Sequence, residues 1–145
     1  MSNLLRLSKH TTAEVFEFFD YSSYAAKFFN ADVRNARITN FRKHGITCVR
    51  CGLHGSFFAR EKYPKDNNPH LNLYAIDAGK DVLMTKDHIK PRSLGGVECL
   101  HNIWPMCSRC NASKGNRYGW ADKAAHLISL LAHKAAGQCK CSIIF

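Results

Sequence analysis

The chain has 145 residues, 46% of them hydrophobic, and carries 21 Lys+Arg against 11 Asp+Glu for a formal net charge of +10. That length fits one domain with a modest core, since a chain of this size buries roughly two-thirds of its unfolded surface. The basic balance argues against an acidic solvating chain and for a polyanionic partner, nucleic acid ahead of an acidic membrane surface.

Residues 1–36 read as a helical preface. Thr11-x-x-Glu14 is a capping box that opens a short helix with Val15, Phe16 and Phe19 apolar, and Ser22 or Ser23 caps another over residues 24–29. A third helix is expected over residues 32–43, stopped by Gly45 and carrying Arg34, Arg37, Arg42 and Lys43. Charge runs are of low specificity, so a brace with a solvated basic face is preferred to a phosphate-binding helix. The basic surplus is nevertheless local: Arg37, Arg42, Lys43, Arg50, Arg60, Lys62 and Lys65 face Glu61 alone between positions 37 and 65.

Residues 71–77 alternate and are rich in strand formers, Ala78-Gly79 supplies a turn, and residues 80–85 return as a second strand. That hairpin delivers Asp87 and His88 at a strand end. After a loop from Pro91 to Gly96, a short strand is expected over residues 102–106 and a helix from Ser108 or Asn111. Residues 121–136 read as a further helix with Ala124, Leu127, Ile128 and Leu131 on one face, within a C-terminal helix and tail spanning 118–145. With no repeat or linker to divide it, 1–145 is expected to be a single domain, with residues 37–117 as its centre.

No stretch approaches the ~20 apolar residues of a membrane span. The first residues lack an uninterrupted apolar segment, so no membrane association and a cytoplasmic location are expected. In a reducing compartment, seven cysteines with two Cys-x-x-Cys pairs argue for metal rather than disulfides. Cys48-Val-Arg-Cys51 and Cys107-Ser-Arg-Cys110, 55 residues apart, can meet as two knuckles around one tetrahedral Zn²⁺ with every position filled, hence a structural ion. Cys99, Cys139 and Cys141 are expected to be free thiols, a second metal site from Cys139, Cys141 and His133 being a weaker reading. Cys141 lies fifth from the end, one place off a prenylation signal.

Hydrolysis of a phosphodiester needs a base to activate water, a cation to offset charge and a frame to position both. Asp87, His88, Asn102 and Asn111 offer such groups, although neighbours on a strand point to opposite faces and can share a site only where the strand ends or twists. Singly, each has a structural use: Asp87 in a turn, Asn102 in a buried loop, Asn111 as a helix cap.

Together, Asp87-His88-Ile89-x-Pro91-x-Ser93-x-Gly95-Gly96, then Asn102-Ile103, then Cys107-x-x-Cys110-Asn111-x-x-Lys114-Gly115 resembles the HNH endonuclease family in its four-cysteine zinc subclass, over about residues 37–117. The three signature positions fall at His88, Asn102 and Asn111, with 13 and 8 residues between them. Asn111 departs from the family's second histidine, a variant also seen in the family. The resemblance implies a ββα-metal core with a four-cysteine zinc site, which with the preceding β-hairpin and the N-terminal helices read above makes an α+β fold. It also implies DNA as partner, His88 as general base, Asp87 and Asn111 as ligands of one catalytic Mg²⁺ or Mn²⁺, and Asn102 as the residue that fixes the loop. Lys90, Arg92, Arg109, Lys114 and Arg117 are expected at phosphates. His101, beside Asn102, is a candidate substitute ligand; His44, His54 and His70 are expected to be surface or packing residues. Small stand-alone members resemble phage or mobile-element nucleases, which would act in a host cytoplasm. A homodimer, a phage or host protein partner, and a zinc-stabilised DNA-binding module without catalysis stay open.

Overall fold

The computed structural model describes residues 3–17 and 36–137. Five antiparallel strands form one sheet in the order β1-β2-β3-β4-β5: β1 (Leu5–Thr11), β2 (Gly55–Lys62), β3 (His70–Asp77), β4 (Lys80–His88) and β5 (Ile103–Cys107). Among the described residues, four α-helices accompany them: α1 (Thr12–Glu17), α2 (Ala36–His44), α3 (Ser108–Lys114) and α4 (Trp120–Ala135). The expected helix over 24–29, with Arg34, Cys139 and Cys141, lies outside the described residues.

The β3–β4 hairpin follows the sequence reading. Ala78 and Gly79 have φ of 49° and 73°, the left-handed pair that a two-residue turn needs to match strand twist. Asp77 pairs with Lys80 across it. The N-terminal capping box also forms: Glu14 N donates to Thr11 Oγ1 at 3.1 Å and Thr11 N to Glu14 Oε2 at 3.4 Å.

The purely helical preface is corrected. β1 precedes α1 as an edge strand on β2, and it was hidden because its amphipathicity is inverted. Leu5 and Leu7 are exposed, whereas Arg6, Ser8 and His10 are the half-buried positions. What draws Arg6 inward is Glu61 on β2, 1% exposed, whose carboxylate accepts from Arg6 Nε at 2.7 Å, Asn72 Nδ2 at 2.9 Å and the Tyr74 hydroxyl at 2.8 Å. A buried carboxylate with three donors is stable where an unpaired one is not.

Val15, Ile38, Phe41, Phe58, Leu71, Leu73, Met84 and Met106 form the centre of the core, between the sheet and the helices. α2 packs on β4 and β5, and α3 on the same two strands. As braces, α2 residues Arg37 and Arg42 bond inward, to Asn72 Oδ1 at 2.8 Å and the Phe16 carbonyl at 2.9 Å.

α4 forms where expected but presents another face. Leu127, Ile128 and Leu131 are exposed, and Asp122, Leu130 and His133 are the buried residues. The inward face carries histidines that meet others: His133 lies 5.7 Å from His44 of α2 and 6.4 Å from His101, and His101 stacks on His126 at 5.7 Å. Tyr118 bonds His126 Nδ1 at 3.0 Å and His44 Nε2 approaches the Leu100 carbonyl at 2.7 Å. Contact with loop and helix thus outweighs the Leu/Ile stripe in choosing α4's buried side. Cys99 is disulfide-bonded, which corrects the expectation of a free thiol.

Candidate active site

The site is built at the end of β4. Alternation sends Thr85 and Asp87 to the face covered by α3, and Lys86 and His88 to the other. Asp87 is buried, and its Oδ2 accepts from Lys114 Nζ at 2.8 Å and Trp104 Nε1 at 3.2 Å. The Lys114 ammonium, itself 1% exposed, also donates to the His88 carbonyl at 2.8 Å. One α3 residue therefore fixes the last two residues of β4. A turn earlier, Asn111 Nδ2 donates to Thr85 Oγ1 at 2.9 Å, and that hydroxyl donates to the Met106 carbonyl at 2.8 Å. Asp87 Oδ1 and Asn111 Oδ1 accept no hydrogen bond among the described residues. Carboxylate and amide oxygens are hard donors of the kind that a small divalent ion accepts.

His88 is the last residue of β4, where the strand gives way to the loop that Pro91 begins. Its Nε2 lies 2.8 Å from Glu98 Oε2, and the other oxygen of Glu98 pairs with Lys86. Burial, then the charges of Lys86, Arg92 and Lys114, hold the imidazole below its ordinary 6.5 against the opposing pull of Asp87. The ring is consequently neutral near pH 7, the form in which it can take a proton.

Asn102 is fully buried and spends its whole amide on the loop between β4 and β5. Oδ1 accepts from Lys90 N at 2.8 Å, and Nδ2 donates to the Val97 and Lys90 carbonyls at 2.9 and 3.2 Å. The backbone joins in, Ile89 N donating to the Asn102 carbonyl at 2.8 Å. Closure is tight enough that a Cβ on Gly96 would lie 1.8 Å from the Lys90 carbonyl oxygen, so only glycine fits there.

Basic side chains divide by position. Arg92 and Arg117 are exposed beside His88 and the end of α3, and Lys90 is half-buried. Lys114 is corrected: buried against Asp87, it has no surface to offer a phosphate. Arg109 is exposed but paired with Asp77 at 2.5 Å, at the hairpin-turn end of the sheet, away from His88. His101, the candidate substitute ligand, packs against the α4 histidines.

Behind α3, the sulfurs of Cys48, Cys51, Cys107 and Cys110 all lie within 4.8 Å of one another, an arrangement compatible with a zinc site. Tetrahedral Zn–S bonds of ~2.3 Å set sulfurs about 3.8 Å apart, and Cys51 Sγ to Cys107 Sγ measures 3.8 Å. Cys107 closes β5 and N-caps α3, its sulfur accepting from Cys110 N at 3.5 Å. The first knuckle is tied to β5 through Val49 N and the Pro105 carbonyl at 3.1 Å. Without a cation the thiols compete for charge. Burial and the neighbouring sulfurs push Cys110 up to about 12, while Cys48, despite its burial, is drawn down to about 6 by hydrogen bonds from the Cys107, Cys51 and Arg50 backbone.

Residues 77–121 match the family model of the HNH endonuclease. No curated protein and no solved structure matches the chain. The HNH segment runs from the hairpin turn through β4, the loop, β5 and α3 to the start of α4, and so contains Asp87, His88, Asn102, Asn111 and the second cysteine pair. Cys48 and Cys51 lie outside it. Sequence reading missed three residues that touch these groups: Glu98, Trp104 and Thr85. Glu98 had a signal, being the sole carboxylate between Asp87 and Asp122 in a basic stretch.

Proposed function

We propose that the protein is a metal-dependent HNH endonuclease that hydrolyses DNA phosphodiester bonds, by nicking or double-strand cleavage. The observation that carries this reading is the meeting of the β4 end, the Asn102 loop and α3 in the HNH segment. Supporting it are a histidine held below its ordinary pKa at the end of β4 and, on Asp87 and Asn111, two oxygens that accept no hydrogen bond among the described residues. His88 takes a proton from the attacking water. Asp87 and Asn111 hold one Mg²⁺ or Mn²⁺, which when bound offsets charge on the scissile phosphate and leaving oxygen. Asn102 fixes the loop and with it the direction of His88. Lys114 holds Asp87 in place, and Arg92, Arg117 and Lys90 meet the DNA backbone, which a chain of +10 attracts from a distance.

The four-cysteine site holds Zn²⁺ with no open position, and its role is structural. It joins the turn after α2 to the β5–α3 junction, one residue before Asn111. The whole chain is one domain around this core. Action in a host cytoplasm, as a phage-like enzyme with or without a protein partner or a second copy, follows from the family resemblance alone.

The test is incubation of the purified protein with supercoiled plasmid and Mg²⁺ or Mn²⁺. Nicked or linear product that EDTA abolishes is expected. A folded, zinc-loaded protein that binds the plasmid yet leaves it supercoiled in both ions would favour the alternative, a zinc-stabilised DNA-binding module or a subunit that needs a partner.

A further inference from the structure

Glu98 is absent from the HNH signature, yet it makes the only side-chain hydrogen bond to the His88 ring among the described residues. An ionised carboxylate can only accept, so at neutral pH the 2.8 Å contact requires the proton of the neutral imidazole to sit on Nε2. Nδ1 is then the nitrogen with the lone pair, and it has no hydrogen-bond partner among the described residues.

The carboxylate is itself held from several sides. Its second oxygen pairs with Lys86, which shares a strand face with His88. The backbone on either side is pinned, since the Val97 carbonyl accepts from Asn102 Nδ2 at 2.9 Å and from Cys99 N at 3.1 Å. Asn102 thus holds both walls of the loop, the Lys90 wall that carries His88 and the Val97 wall that carries Glu98. A contact made only by chance at the surface would not share its anchor with the residue it touches.

We propose that Glu98 is a positioning residue for His88: it selects the Nε2–H tautomer, aims Nδ1 at the attacking water and stabilises the imidazolium that forms. The inference rests on the proposed nuclease reading. In the step, a water O–H bond breaks and its proton passes to Nδ1, while the hydroxide oxygen forms the new P–O bond. The bond from phosphorus to the leaving oxygen breaks, that oxygen takes a proton from solvent, and His88 later returns its proton to solvent. No oxidant or further reactant enters. Lys86, on the far oxygen of Glu98, limits how strongly the carboxylate holds the proton, so that His88 is oriented without being kept protonated.

Glu98→Ala and Glu98→Gln proteins, checked for zinc content and melting, would be compared with the wild type in two ways. The first is the pH–rate profile of plasmid nicking at saturating Mg²⁺. Glu98→Ala is expected to lose about 10- to 100-fold, within the range that orienting partners of catalytic histidines or ligands contribute, with its acid limb displaced to lower pH. Glu98→Gln, whose amide oxygen can still accept from Nε2–H, is expected to recover part of the rate. The second is the tautomer of His88, read by two-bond ¹H–¹⁵N correlation in the metal-free protein. Nε2–H is expected in the wild type and a mixture in Glu98→Ala. An unchanged rate and acid limb in Glu98→Ala, a faster Glu98→Ala enzyme, or a His88 protonated on Nδ1 in the wild type would each overturn the proposal. If the wild type cuts no DNA, the nuclease reading fails and with it the catalytic role, whereas the tautomer experiment still decides whether Glu98 sets the His88 proton.

Discussion

Lys114 sits on α3 with its ammonium 1% exposed, shared between the Asp87 carboxylate and the His88 carbonyl. Removing one partner of a buried pair leaves the other charge uncompensated, which costs about 3–5 kcal/mol. Lys114→Met should therefore lower the urea-unfolding free energy by roughly that amount, whereas Arg117→Ala, exposed, should stay within about 0.5 kcal/mol. Equal small losses in both would mean that the Lys114–Asp87 contact is not held in solution. His88 belongs to the same scale. Because burial and Lys86 hold it below 6.5, a rate that needs its neutral form falls only as pH drops through that lowered value. The acid limb of nicking at saturating Mg²⁺ should have its midpoint below 6.5, and a midpoint above it would contradict the lowered value. At this scale the sequence was legible for identity but not for partners. Asp87, His88, Asn102 and Asn111 were singled out by resemblance to the family pattern, yet whether Lys114 faced a phosphate or Asp87 depended on which way α3 rolled on β4.

At the scale of elements, α4 is held by rings. His44, His101, His126 and His133 form a run of contacts beneath it, and His126 Nε2 and His133 Nδ1 are buried without a hydrogen-bond partner among the described residues. Burial lowers all four from 6.5, with Lys43 and the neighbouring histidines adding for His133, Lys43 for His44, His126 for His101 and Lys90 for His126. A histidine with a lowered folded pKa binds fewer protons folded than unfolded, so stability is full above 6.5 and falls as pH drops below it. Urea midpoints should decline between about pH 7.5 and pH 5.5, and His133→Leu should flatten that decline. An identical slope in the variant would place the pH sensitivity elsewhere. The elements themselves were largely readable. Turn residues gave the β3–β4 hairpin, and Thr11 with Glu14 gave α1. β1 and the buried face of α4 were not readable, because in both the polar residues turn inward: Arg6 toward Glu61, and the histidines toward one another. Hydrophobic periodicity reports the buried side only when apolar burial is what chooses it.

Across the whole molecule, the four-cysteine cluster ties together segments far apart in sequence, the turn after α2 and the junction of β5 with α3. Matched Cys-x-x-Cys pairs made this the most legible long-range contact in the chain. Since a structural zinc contributes its binding free energy to folding, Cys110→Ser should lose zinc, melt well below the wild type and lose the alignment of Asn111 with Thr85. A zinc-free variant with an unchanged melting temperature would show that the cluster is not what holds the site. The central claim, that the end of β4 and α3 together form a hydrolytic site, is tested most directly by comparing wild type and His88→Ala on supercoiled plasmid with Mg²⁺ under identical conditions. The two proteins should have equal zinc content, melting temperature and DNA affinity, and the variant should nick about 10²- to 10⁴-fold more slowly, the usual contribution of a general base. Equal nicking by the two proteins would place the chemistry somewhere other than His88.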